Sequence, residues 1–150
     1  MKLLFGHTND VERFVASLVP NCSEGFGNCQ GVGVVDNDGK LVAGWVWHDW
    51  NPAAEIMEFS GASTNPRWMT RKILHQLFAY AFELVGCQMI VTRNSETNTR
   101  LHRQLKRFGF DRIDIPRLFG RSENGVVWTL TEEQWKAGEF YVEAQSAHAA

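Results

Sequence analysis

A single stretch in the middle of the chain constrains its fold more than any other. Residues 54–61 form an apolar run typical of a strand, and a basic segment from Thr64 to Lys72 follows. Residues 87–93 have the composition of another strand. A strand, a helix and a strand in this order predict a parallel pair with a right-handed crossover. The helix between them is indicated by apolar residues at helical spacing: Ile73, Leu74, Leu77, Phe78, Ala81, Phe82 and Val85.

The basic segment has the features of an anion-binding turn. The first amides of a helix have no intrahelical acceptor, and the helix dipole is positive at that end. Arg67, Arg71 and Lys72 place three cations beside these amides. These residues predict a phosphate-binding turn, although an ordinary connection with solvated basic side chains fits them as well.

The N-terminal third predicts a strand, a helix and a hairpin. Residues 2–5 read as a short strand, and Asn9 is predicted to cap the helix that follows, with Glu12 as its capping-box partner. Strands over residues 31–36 and 41–48 flank the turn signal Asp36-Asn-Asp-Gly39. We expect the chain to be interrupted directly after this hairpin, at Trp50, Asn51 and Pro52.

Beyond the central stretch, Ser95 is predicted to cap a helix over residues 96–108. The extended segment 110–119 contains Pro116, which cannot donate a ladder hydrogen bond and therefore indicates a sheet edge or a bulge.

The C-terminal residues predict a last strand over residues 126–130 and a short helix. Thr131 and Gln134 have the spacing of a capping box at its start, and the tail after Phe140 is expected to fray. The chain is therefore predicted to be a single α/β domain, residues 1–150. Its expected architecture is a mixed sheet of about six or seven strands flanked by helices.

Composition excludes several classes of function. The net charge of −2 gives no general attraction to nucleic acid or acidic lipid, although residues 93–121 hold eight Lys/Arg against three Asp/Glu. Three cysteines at no framework or zinc spacing indicate a reducing compartment and no metal site. With no signal peptide and no membrane-length apolar run, we expect a cytoplasmic protein.

Three stretches carry a resemblance to the GNAT superfamily of N-acetyltransferases, and the resemblance covers nearly the whole chain. They are the strand Glu55-Ile-Met-Glu-Phe-Ser60, the turn and helix from Asn65 to Phe82, and the segment Asn98 to Phe110 with Gly-Phe at its end. The last of these is the most specific. The chain is most similar to the small acetyltransferases of phages and prophages, which are related to ribosomal-protein N-terminal acetyltransferases.

The resemblance implies that acetyl-CoA is the cofactor and that the acyl-CoA N-acyltransferase fold holds it. Its pyrophosphate is expected at the turn, and Asn98 is expected to contact the cofactor arm. The pantetheine is expected between residues 59–62 and 87–92. The implied cofactor-binding residues are Phe59, Ser60, Gly61, Ala62, Arg67, Trp68, Met69, Thr70, Arg71, Lys72 and Asn98.

The sequence departs from the pattern of the family at two places. Thr70 and Lys72 stand where the phosphate turn of the family has small residues, which allow the backbone to approach the phosphate closely. Leu105 stands where many members have a tyrosine that acts as general acid.

Acyl transfer to an amine needs a neutral nucleophile, so a base must remove a proton. Glu58 is the candidate base, the alternative being a structural ion pair with an arginine. His48 can reach the same cleft from the end of the hairpin strand, or be a polar edge residue. His102 shares a helix face with Asn98 and can protonate the leaving thiolate in place of the missing tyrosine, or be an exposed helical histidine.

The tryptophans near the central strand also allow two interpretations. They can form the wall of an acceptor pocket, or they can pack in the core of the sheet. The residues concerned are Trp45, Trp47, Trp50 and Trp68.

Three functions are compatible with these residues. The first is an N-acetyltransferase, monomeric or homodimeric, that acts on a peptide N-terminus, a lysine or a small amine. The second is a catalytically silent protein of the same fold, an interaction or virion-associated module of a phage. The third is a nucleic-acid binder, which the net charge disfavours; its contacts would be Arg93, Arg100, Arg103, Lys106 and Arg107.

Overall fold

The computed structural model describes residues 1–20 and 22–141. Within them the chain has seven strands and four α-helices, which confirms the predicted α/β class and the expected number of strands. The strands are β1 (Lys2–Leu4), β2 (Cys29–Val35), β3 (Leu41–Asn51), β4 (Ile56–Ser63), β5 (Met89–Ser95), β6 (Asp111–Gly120) and β7 (Glu123–Thr131). The helices are α1 (Thr8–Leu18), α2 (Arg71–Ala79), α3 (Thr99–Arg107) and α4 (Glu132–Ala137).

The chain divides into two compact units within α2, Met1–Ile73 and the residues from Leu74 onward. In the first unit β1, β2, β3 and β4 are neighbours in this order, and every pair is antiparallel. The parallel pair and the single domain predicted from the sequence stay predictions. None of the described helices is both long and apolar enough to cross a bilayer.

One face of the first unit is built around α1. Val11 and Val15 of this helix and Val46 of β3 are fully buried together. The helix can approach the strands closely because Gly44 presents only backbone to it. A Cβ at this glycine would lie 2.6 Å from Val15 Cγ2 and 3.1 Å from Val11 Cγ1. The absence of a side chain at Gly44 therefore allows α1 to pack closely against the strands.

The other face of the first unit is aromatic. Trp45 stacks on Phe59 with ring centroids 4.3 Å apart, and Trp47 meets the same ring edge-on at 5.5 Å. Trp68, from the turn after β4, approaches Trp45 edge-on at 6.1 Å. These three tryptophans are buried, which favours the core interpretation for them, whereas Trp50 is 41% exposed.

In the second unit β7 lies between β5 and β6, and both pairs are antiparallel. Pro116 lies on the edge strand β6, whose register shifts between Ile115 and Gly120, so the expected edge position and bulge are both present. The predicted capping box of Thr131 and Gln134 is also formed at the start of α4. The tail from residue 142 lies outside the described residues.

Three sequence predictions about boundaries are wrong. Asn9 lies inside α1, and His7, the residue before the helix, makes no capping hydrogen bond through its side chain. Glu12 does not act as a capping-box partner, because its carboxylate accepts a hydrogen bond from the distant Phe26 amide. Ser95 ends β5, and its hydroxyl donates to a Glu123 carboxylate oxygen at 2.6 Å rather than capping a helix. The expected interruption begins later than predicted, since β3 continues through Trp50 to Asn51 and the turn starts at Pro52.

The close seat of α1 predicts the effect of one added methyl group. Gly44→Ala should lower the free energy of unfolding by about 1–3 kcal/mol, because its Cβ collides with two side chains of the core. Gly61→Ala is the matched control, since its Cβ would meet its nearest neighbour, the Gly44 carbonyl oxygen, at 3.4 Å. Urea denaturation measures the free energy of unfolding of both variants. Equal losses would contradict the close packing of α1 against Gly44.

Candidate active site

A buried histidine on β3 connects two polar residues of the first unit. His48 is 6% exposed. Its Nδ1 lies 2.5 Å from Asp49 Oδ2, and its Nε2 lies 2.9 Å from Ser60 Oγ. An ionised carboxylate only accepts hydrogen bonds, so Nδ1 carries the proton and, in the neutral ring, the Ser60 hydroxyl donates to Nε2. The imidazole is thus held between a hydroxyl and a carboxylate.

The backbone at Asp49 explains why neighbours in sequence can meet. Consecutive side chains of a regular strand point to opposite faces. Asp49 has φ of 55°, and the pairing of β3 with β4 shifts between His48 and Asn51. This bulge turns the Asp49 carboxylate back towards the ring of the preceding residue. This contact is not among the sequence predictions, and the only sequence signal for it is a short acidic residue next to a histidine at a strand end.

The loop before β2 covers the histidine. Phe26 stacks on His48 with ring centroids 5.1 Å apart, and its amide donates to Glu12 Oε1 at 2.8 Å. The same carboxylate affects Cys29, which pairs with His48 across β2 and β3. Burial raises the pKa of the Cys29 thiol, and the negative charge and the hydrogen-bond acceptor of Glu12 raise it further. Glu12 therefore fixes the covering loop and adds to the rise in the pKa of the Cys29 thiol that burial causes.

The proposed base lies beside this group. Glu58 is directly opposite His48 in the register of β3 and β4, and its side chain is half-buried. Polar side-chain atoms of Glu58, His48 and Asp49 all lie within 4.8 Å of one another. Two carboxylates and an imidazole this close can attract a cationic amine and accept its proton.

The predicted phosphate turn is capped twice. Asn65 Oδ1 accepts from the Arg67 amide at 3.0 Å, which begins a short 3₁₀ turn over Pro66–Trp68. Thr70 Oγ1 then accepts from the Ile73 amide at 3.2 Å and caps α2. Thr70 thus has a structural role at the start of α2.

The remaining residues of the predicted cofactor site differ in accessibility. Phe59 and Trp68 are buried in the aromatic face, while Ser60, Ala62 and Met69 are half-buried. The exposed ones, which a ligand can reach without rearrangement, are Gly61, Arg67, Thr70, Arg71 and Lys72.

His102 belongs to the second unit and is buried, not exposed, at 5%. Its Nε2 donates to the Ser95 carbonyl oxygen at 2.9 Å, and its Nδ1 accepts from Trp128 Nε1 at 3.0 Å. Both ring nitrogens are engaged with the protein, which favours a structural role over proton donation to a substrate. Asn98 precedes α3, is exposed and makes no capping hydrogen bond through its side chain; its contact with a cofactor stays a prediction.

Several solved structures with the same fold are described as acetyltransferases. A chimera of the spermidine N-acetyltransferase SpeG from Vibrio cholerae and hSSAT matches 90% of this chain and 99% of its own, with 13% identity and a TM-score of 0.72. A mutant spermidine/spermine N-acetyltransferase SpeG from the same organism matches 91% and 97%, with 14% identity and a TM-score of 0.72. A structure described as "Probable acetyltransferase" matches 89% and 93%, with 15% identity and a TM-score of 0.65.

The sequence itself matches no protein-family model and no curated protein. At these identities the solved structures establish the fold, and any role of the chain has to be argued from its own residues.

The environment of Cys29 predicts slow alkylation. A raised pKa lowers the thiolate fraction at pH 8, so iodoacetamide should modify Cys29 more slowly than an unperturbed thiol. Glu12→Gln removes the charge but keeps an oxygen for the Phe26 amide, and should speed the reaction. Glu24→Gln is the control, because Glu24 is an exposed acid in the loop before β2 that contains Phe26. Peptide mass spectrometry gives the rates, and unchanged rates in Glu12→Gln would contradict the role of its carboxylate.

The buried His102 predicts a stability effect that depends on its partner. His102→Phe should cost about 1–3 kcal/mol, because the Trp128 indole N–H loses its acceptor in a buried site. Adding Trp128→Phe removes that stranded donor, so the double variant should lose less than the sum of the single losses. Urea denaturation of the four proteins measures the coupling, and strict additivity would argue against this hydrogen bond.

Proposed function

We propose that this chain is an acetyl-CoA-dependent N-acetyltransferase that acetylates a primary amine, on a peptide N-terminus, a lysine or a small molecule. The observation that carries the proposal is the fold match to acetyltransferases over nine-tenths of the chain. The polar group of His48, Asp49 and Glu58 supports it, because amine acetylation needs an acceptor for a proton. The solved neighbours named for spermidine make a polyamine one acceptor to test.

The turn and the end of β4 are the proposed donor site. Arg67, Arg71 and Lys72 are exposed cations around the start of α2, where a diphosphate would meet both charge and backbone amides. Residues 59–62 of β4 are the proposed contacts of the pantetheine arm. Acetyl-CoA supplies a thioester whose carbonyl carbon an amine can attack.

Glu58 is proposed as the general base. An ammonium ion near the carboxylates of Glu58 and Asp49 is held by charge. Glu58 takes its proton, and the resulting neutral amine then attacks the thioester carbon. His48 has both ring nitrogens engaged, so its route to a substrate proton passes through Ser60. We therefore assign the direct proton transfer to the half-buried carboxylate of Glu58.

The proposal is tested by coenzyme A release with a panel of acceptors: spermidine, lysine and peptides with a free N-terminus. Glu58→Gln keeps the size of the side chain and removes the base, so kcat should fall by about 10²–10⁴-fold. Glu55→Gln is the matched control and should retain activity, because Glu55 is an exposed acid in the turn directly before β4.

Titration calorimetry with acetyl-CoA separates binding from turnover. Failure to bind acetyl-CoA would overturn the proposal and favour a catalytically silent protein of this fold, such as a virion-associated module of a phage. Binding with turnover that survives Glu58→Gln would leave the enzyme class standing and remove Glu58 as the base.

A further inference from the structure

We infer that Ser60, His48 and Asp49 form a nucleophilic triad that accepts an acyl group on Ser60 Oγ. The inference rests on the hydrogen-bonded chain of the three side chains within the first unit. It adds to the proposed function a covalent acyl-enzyme and an esterase activity that needs no coenzyme A.

The connectivity is that of an activated serine. A nucleophilic hydroxyl must lie within hydrogen-bond reach of a base, and a third group must orient that base. Ser60 Oγ lies 2.9 Å from His48 Nε2, and Asp49 Oδ2 lies 2.5 Å from His48 Nδ1. The carboxylate holds the proton on Nδ1, which leaves Nε2 to take the proton of the hydroxyl.

The surroundings keep this arrangement fixed. The imidazole is buried and stacked on Phe26, so its plane cannot swing away from Ser60. Ser60 itself is half-buried on β4, so the residue is partly accessible to solvent. Solvent reaches the Asp49 carboxylate, whose side chain is 68% exposed.

The backbone at Asp49 gives independent support. Asp49 has φ of 55°, a left-handed backbone conformation that strains most residues other than glycine, although aspartate tolerates it better than most. Such strain persists where the surrounding structure enforces it, and it concentrates at functional sites. Here the strained residue is the one that orients the base.

The acylation step balances within these groups. Ser60 Oγ attacks the carbonyl carbon of a thioester or an activated ester, and its proton passes to His48 Nε2. The new bond joins Oγ to the acyl carbon, the bond to sulfur or to the ester oxygen breaks, and the leaving atom takes the proton from His48. An amine or water then attacks the acyl-serine and gives a proton to His48 Nε2. The carbon–Oγ bond breaks, and His48 passes that proton to Oγ.

The experiment uses the full chain with p-nitrophenyl acetate, so it does not depend on the donor in the proposed function. We expect a burst of p-nitrophenolate, and intact-protein and peptide mass spectrometry should place one acetyl group on Ser60. Ser60→Ala should abolish both signals. Ser63→Ala, an exposed serine on the same strand, should leave them unchanged.

Asp49→Asn tests the orienting carboxylate. Asparagine tolerates positive φ, so the bulge is retained while the charge is removed, and the burst rate should fall by about 10²-fold or more. Ser60→Cys keeps a nucleophile at the position, and should carry the acetyl group as a thioester even if Ser60→Ala fails to fold.

Absence of an acetyl group on Ser60 in the folded protein, or a burst that survives Ser60→Ala, would overturn the triad. Coenzyme A release to an amine without acylation of Ser60 would do the same and leave the proposed function intact. Acylation by p-nitrophenyl acetate without acetyl-CoA binding would support the triad and count against the proposed function.

Discussion

The antiparallel register of β3 and β4 is the constraint on which the first unit depends. It pairs Trp47 with Phe59 and His48 with Glu58, so one set of side chains enters the aromatic face and the other forms the candidate site. Because side chains alternate with a period of two, a slip of one residue would exchange the two sets. It would bury the carboxylate of Glu58 among tryptophans and release Phe59 from its stack. Core packing and site geometry are thus held by the same pairing.

The two buried histidines show how partners decide the chemistry of a residue type. His48 and His102 are equally buried, and each has both ring nitrogens in hydrogen bonds. The partners of His102 are an indole N–H and a peptide carbonyl, neither of which exchanges a proton with a substrate near neutral pH. Those of His48 are a hydroxyl and a carboxylate, which can lose and accept one. The hydrogen bonds of His102 stabilise α3 within the second unit, and those of His48 can move a proton.

Local sequence signals predicted those parts of the structure that local interactions decide. Pro116 predicts the sheet edge and the bulge because a proline cannot donate a ladder hydrogen bond. The capping box before α4 was found because its two partners lie three residues apart. Glu12 was misread because its spacing also fits a capping box, while its actual partner lies in a loop fourteen residues away.

The candidate site was predicted in part for the same reason. Glu58 and His48 are predicted as catalytic candidates, and Ser60 only as a cofactor contact that the resemblance implies. The approach of Ser60 to His48 depends on the pairing of β3 and β4, which the sequence does not state. The contact with Asp49 depends on a backbone conformation that no propensity of the flanking residues indicates.

That conformation narrows the routes open to mutation at this position. Among the residues with a carboxylate, aspartate tolerates positive φ through its short side chain, whereas glutamate is longer and less suited to it. Asparagine and glycine preserve the bulge without supplying charge. Substitution of Asp49 by asparagine or glycine can therefore conserve the bulge of the strand while it removes the carboxylate beside His48. Descendants with unaltered folding would then differ from this chain in chemistry alone.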